Sequence, residues 1–284
     1  MQKLHHEFGI RIQKNTDVVT LRNLLRQHRA VVIDNVHFDK ISNFQNWLDQ
    51  IGAVSPGGNN SHADLRLAYG EQHDQAIKVV QHDPGLPNGG MYYLDTQGTG
   101  YWHQDGVNYD RGNECYTALY SVITPDTGGD TCIADLHLAW NDLSDEYKNM
   151  LRPLHTVNGN RAFRLWNEQY FKRYPERFAN ELAAFEKQRP LVTIDSFGRE
   201  GLNFSPKNVI SIAGMHIEES APIIEFLSCH VSRLEYQYRH KWQANQVFFF
   251  SDESMIHYAI RDYRDSPREL WSCKINAGDN LLDK

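Results

Sequence analysis

Cysteine is scarce in this 284-residue chain, and the four present, Cys115, Cys132, Cys229 and Cys273, stand far apart with no CxxC pair. That spacing excludes a zinc knuckle and a disulfide framework, so the plain reading is reduced thiols and a metal site, if any, built from histidine and carboxylate. Long apolar runs are also missing. No stretch approaches the ~18 residues of a membrane span, and the opening MQKLHHEFGI lacks the apolar core of a signal peptide. No run rich in Lys or Arg exists, and 29 Lys+Arg against 36 Asp+Glu give a net charge of −7, which leaves no electrostatic footprint for nucleic acid or an anionic membrane. The 19 Gly and 10 Pro are dispersed, which argues against collagen-like, disordered or repeat classes. These absences lead to an expectation of a soluble cytoplasmic protein. With no linker or charge boundary, residues 1–284 read as one domain, although length alone allows two.

Helical spacing is expected over 16–28 behind a Thr16 cap, over 38–51, 143–151 and 223–234, and in a polar stretch around 166–188. Strand-like segments are 30–33, 114–123, 131–137, 191–194, 202–204, 246–251 and 270–275. Residues 55–100 are rich in Gly, Asn, His, Pro and Asp, and a long segment with such turn chemistry is more often functional than idle.

What the chain has in excess is histidine, 14 in all. Histidine is the commonest metal ligand. Two of the fourteen sit in unusual company: one in Tyr101-Trp-His103-Gln-Asp105-Gly106, the other in Phe249-Phe-Ser-Asp-Glu-Ser-Met-Ile-His257. On an extended strand, residues i and i+2 share a face, so His103 and Asp105 can aim at one point. Two histidines and a carboxylate with open positions form the facial triad of non-heme Fe(II) oxygenases. The bare tripeptide also fits a half-buried histidine hydrogen-bonded to Asp105.

The wider pattern resembles the taurine dioxygenase-like (TauD/TfdA) family of Fe(II)/2-oxoglutarate-dependent oxygenases, from about Phe8 to the C-terminus. Trp102-His103-Gln-Asp105 resembles the family's W-H-x-D, and Thr127-Gly-Gly-Asp-Thr131 its S/T-G-G-x-T. Gln237-Tyr-Arg-His-Lys-Trp242 followed by Asp252 resembles its Y-R-H-x-W…D-N, and His257-Tyr-Ala-Ile-Arg-Asp-Tyr263 with Arg268 its H-x-A-x-x-D-Y and following arginine. The resemblance implies a mainly β (α+β) fold, a double-stranded β-helix or jelly-roll core with flanking helices and a lid. It implies Fe(II) on His103, Asp105 and His257, 2-oxoglutarate as cosubstrate with its distal carboxylate on Arg268 and Thr131, and O₂ as oxidant. A guanidinium suits that carboxylate because it can pair with it bidentately.

Departures from the pattern bear on the substrate. Taurine dioxygenase holds its substrate's sulfonate with a second arginine; Ser272 stands at that position here, which makes taurine an improbable substrate. Candidate substrate contacts are Tyr92 and Tyr93 in the expected lid, Asn108 and Arg111 just past the metal pair, and Arg161 and Arg164 in a region that often forms a flap in the family. The reading is an oxygenase that hydroxylates, desaturates or otherwise oxidises a small polar, amino-acid-derived metabolite in a biosynthetic pathway. The alternatives are a jelly-roll binding or sensor protein that keeps the pocket without turnover, and a metal hydrolase, which has no use for Arg268. Family members often pair or form tetramers, so the resemblance leaves room for a homo-oligomer.

Overall fold

A computed structural model describes residues 1–14, 16–55, 77–82, 101–106, 115–159, 187–263 and 266–277. Among these residues two facing sheets carry the architecture. The larger, of eight strands, runs in the order Gln2–Lys3, Ile10–Gln13, Ala30–Asp34, Val247–Ser251, Cys115–Ile123, Arg268–Asn276 and Ala53–Ser55, with Lys78–His82 also pairing with Arg268–Asn276. The smaller places Thr131–Asp135 between Gln237–His240 and Met255–Ala259, all antiparallel.

Alternation along the strands divides the apolar side chains into layers. Val247 and Phe249 face the helices Val18–His28 and Ile41–Ile51, packing with Leu21, Leu25, Phe44, Leu48 and Trp271. Phe248 and Phe250 point the other way and meet Ile133, Met255 and Trp242 across the space between the sheets. The outer face of the small sheet, with Ala134 and Ile256, is covered by Leu227 and Val231 of the helix Ile217–Val231. Each fully buried side chain of this size is worth about 1.5–3 kcal/mol. The inner faces of the two sheets therefore meet across an apolar layer built on Phe248 and Phe250.

The structure corrects several boundaries expected from sequence. The first helix is capped by Asp17, whose side chain accepts from Thr20 N at 2.9 Å, and not by Thr16. The strand expected to reach His137 ends at Asp135, where a fully buried carboxylate accepts from the amides of His137 and Leu138 and starts a helix, Leu136–Asn141. Arg29 pairs with the same carboxylate through Nε at 3.0 Å and through its terminal nitrogen. Lys187 and Gln188 belong to a strand, Lys187–Pro190, rather than to a helix.

Candidate metal centre

His257 sits on the inner face of the strand Met255–Ala259, opposite Ile133, and Thr131 follows on the same face, opposite Ala259. His103 joins the edge of this sheet through one antiparallel bridge, its amide bonding His257 O at 3.0 Å and its carbonyl accepting from His257 N at 2.7 Å. Register thus brings together two imidazoles distant in sequence, with ring centroids 4.0 Å apart. Asp105 reaches them differently from the sequence expectation. It lies in a turn with Gly106, whose φ is +75°, so the turn and not strand alternation aims its carboxylate. Gln104 fixes that turn, its amide donating to Ser205 Oγ at 2.9 Å and its Nε2 to Asp252 O at 2.7 Å.

The three groups converge. Asp105 Oδ1 is 3.9 Å from His103 Nε2, Asp105 Oδ2 is 3.9 Å from His257 Nε2, and the candidate ligand atoms all lie within 4.8 Å of one another. His103 Nδ1 lies 2.9 Å from Tyr101 O, and a carbonyl only accepts, so the proton is on Nδ1 and the Nε2 lone pair faces the site. His257 is held by packing instead, its ring 5.0 Å from that of Phe250. Burial, the neighbouring His257 and Lys207 hold His103 well below the usual imidazole range; burial and Lys274 bring His257 down to about 4. Burial alone pushes Asp105 up, but the Lys274 ammonium outweighs it and keeps the carboxylate ionised. Two neutral imidazoles and one carboxylate are the protonation states a divalent cation requires.

Further along the same inner space lie the carboxylate-binding candidates. Arg268 is buried, its Nε donates to Gly129 O at 3.0 Å, and its guanidinium carbon lies 5.5 Å from the centroid of the Tyr263 ring. The glycine pair of the T-G-G-D-T segment has a steric reason: a Cβ on Gly128 would lie 2.5 Å from Asp262 Oδ1, and one on Gly129 would lie 3.0 Å from Arg268 Cδ and Nε. Asp262 accepts from Gly129 N at 2.8 Å, which ties the loop to the segment after His257. Thr131 Oγ accepts from Trp242 Nε1 at 3.0 Å. Indole only donates, so the Thr131 hydroxyl hydrogen is directed elsewhere. Tyr92, Tyr93, Asn108, Arg111, Arg161 and Arg164 lie outside the described residues.

A model of the family described as "Taurine catabolism dioxygenase TauD, TfdA family" matches residues 3–274. The chain belongs to the TauD/TfdA family. Among curated relatives, it is 26% identical over 172 residues to an alpha-ketoglutarate-dependent sulfate ester dioxygenase of Pseudomonas putida, covering 59% of this chain and 56% of that one. It is 23% identical over 171 residues to an alpha-ketoglutarate-dependent 2,4-dichlorophenoxyacetate dioxygenase of a Burkholderia species, covering 60% and 55%. The matched region thus spans a little over half the length of these relatives. Among solved structures, AAD-2 in complex with Mn(II) and N-oxalylglycine superimposes with a TM-score of 0.77 at 18% identity over 96% of each chain. A taurine dioxygenase from Burkholderia xenovorans gives 0.71 at 22% identity over 96% of this chain and 89% of that one. The fold is the jelly roll of this TauD/TfdA group.

Sequence reasoning passed over one residue of this TauD/TfdA chain's site, Lys274. Its ammonium donates to Asp105 Oδ2 and Thr117 Oγ and lies 3.6 Å from Asp252 Oδ2. The signal was available: Lys274 interrupts the apolar texture of Leu270–Ile275 at even spacing from Arg268.

Buried neutral histidines also make stability pH-dependent. Burial drives His240 down to about 3, in the same direction as His103 and His257. Below pH 6.5 the unfolded chain takes up protons that the folded chain refuses, at about 1.4 kcal/mol per pH unit for each such group. The stability is fully present above pH 6.5 and is lost as pH falls towards 4. The Tm of metal-free protein should therefore drop steadily from pH 7 to pH 5, with a shallower slope in His240→Gln. A flat Tm across that range would contradict the buried neutral states.

Proposed function

We propose that this chain is an Fe(II)- and 2-oxoglutarate-dependent oxygenase that oxidises an unactivated C–H bond of a small polar organic substrate, with 2-oxoglutarate leaving as succinate and CO₂. The observation that carries the reading is the convergence of His103 Nε2, Asp105 and His257 Nε2 within 4.8 Å, with neutral imidazoles and an ionised carboxylate. The curated relatives named above act on sulfate esters and 2,4-dichlorophenoxyacetate, which supports a small organic acid as substrate. The family match over 3–274 supports one domain.

In this reading His103, Asp105 and His257 hold Fe(II), which supplies O₂ activation coupled to decarboxylation of 2-oxoglutarate. Arg268 and Thr131 take the distal carboxylate of the cosubstrate, the guanidinium through paired N–H groups and the hydroxyl through the hydrogen that Trp242 leaves to it. The buried Phe248 and Phe250 wall keeps water from the reacting bond. Tyr92, Tyr93, Asn108, Arg111, Arg161 and Arg164 remain the proposed substrate contacts.

Screening small organic acids and amino-acid derivatives for substrate-triggered succinate formation by iron-loaded protein tests the proposal. A compound that raises succinate well above the uncoupled background and gains one oxygen or loses two hydrogens supports it. Iron and 2-oxoglutarate bound with no turnover on any compound would favour a binding or sensor protein. Gly129→Ala probes the cosubstrate end. Its Cβ presses on Arg268 in a backbone with φ +69°, so the KM for 2-oxoglutarate is expected to rise about tenfold, equivalent to about 1.4 kcal/mol. Mn(II) affinity, measured by electron paramagnetic resonance, should stay unchanged.

A further inference from the structure

Lys274 places a positive charge at the site meant for a dication, which at first sight opposes the site's purpose. The side chain projects from the inner face of Arg268–Asn276, paired across the sheet with Thr117. It is only 16% exposed, and its ammonium is shared by Asp105 Oδ2, Thr117 Oγ and, at 3.6 Å, Asp252 Oδ2. Thr117 donates in turn to Asp252 Oδ1 at 2.7 Å, and Asp252 is buried with its carbonyl bonded to Gln104. The ammonium is thus directed at protein oxygens from two sides of the site, an arrangement suited to fixing a carboxylate and unsuited to receiving a substrate.

We propose that Lys274 is the positioning residue for the metal's carboxylate ligand. By holding Oδ2 it restricts Asp105 to binding through Oδ1 alone, and it keeps a coordination position for exogenous ligands that a two-oxygen carboxylate would occupy. The arrangement costs metal affinity, because the ammonium competes for Asp105 and repels the dication. It also compensates two neighbouring carboxylates before metal arrives, the buried Asp252 and the partly exposed Asp105. The inference rests on His103, Asp105 and His257 being the metal site.

The test uses Mn(II) with the full chain, reading affinity from the free-ion resonance and bound water from proton relaxation. Lys274→Met should bind Mn(II) about tenfold more tightly, with weaker relaxation of water protons because Asp105 then uses both oxygens. Lys274→Gln, which keeps a donor for Oδ2 but no charge, should also bind more tightly yet relax water as wild type does. It also carries the test should the methionine variant fail to fold. A folded variant of either kind with an affinity within twofold of wild type, or weaker, would overturn the proposal. Relaxation unchanged in Lys274→Met would do the same. Failure of wild type itself to bind Mn(II) would instead remove the metal site, a distinguishable outcome.

Discussion

Asp105→Ala is expected to weaken Mn(II) or Fe(II) binding by about a thousandfold and to abolish succinate formation at micromolar metal. The loss exceeds that of one ligand of three. Asp105 supplies the negative charge among the ligands, and it also compensates Lys274. Its removal leaves the ammonium facing two neutral imidazoles, so the entering dication meets net repulsion. A thousandfold loss corresponds to about 4 kcal/mol. Calorimetric titration with Mn(II) measures it directly. Asp105→Asn, which keeps the shape and removes the charge, should fall nearly as far; retention of wild-type affinity in the asparagine variant would show that charge is not what the site uses.

The second large effect is at Arg268. Replacing it with alanine should raise the KM for 2-oxoglutarate about a hundredfold while leaving Mn(II) affinity within about twofold. A hydrogen bond to a charged group is worth about 1.5–3 kcal/mol, and the upper part of that range gives the hundredfold. Arg268→Lys should recover little, because one ammonium cannot reproduce a planar fork whose orientation is fixed by the Nε bond to Gly129 O. Initial rates of succinate release against 2-oxoglutarate concentration separate the outcomes. An unchanged KM would remove Arg268 from the cosubstrate site, whatever the effect on kcat.

These effects depend on residues of unequal legibility in sequence. His103 and His257 stand out because their neighbours are unusual, and Arg268 only through the resemblance to the family's H-x-A-x-x-D-Y and following arginine. The strand that carries His257 was not legible: Met255–Ala259 is five residues long, follows a polar turn and has too little alternation to announce itself. Nor was the turn that aims Asp105, since HxD reads equally as a strand pair. The helix Ile217–Val231 begins earlier than its apolar spacing indicates, because Glu218, Glu219 and Pro222 mask its first turns. His216 N bonding to Glu219 Oε2 at 2.8 Å secures that end instead. Lys274 was the largest omission. A lysine in a strand is ordinarily a solvated edge residue, and only the pairing of Arg268–Asn276 with Cys115–Ile123 shows that it points inward, next to Thr117. Such long-range pairings, and not local propensity, decide which polar side chains share the interior.

The central claim is that one metal ion held by His103, Asp105 and His257 presents open positions to 2-oxoglutarate anchored by Arg268. Anaerobic titration of the purified chain with Fe(II) in the presence of 2-oxoglutarate tests it most directly. Wild type should develop a visible charge-transfer absorption that saturates at one iron per chain, while His257→Ala develops none and Arg268→Ala needs far more 2-oxoglutarate to reach the same intensity. Iron-bound wild type with no such absorption, or full absorption in His257→Ala, would contradict the assignment.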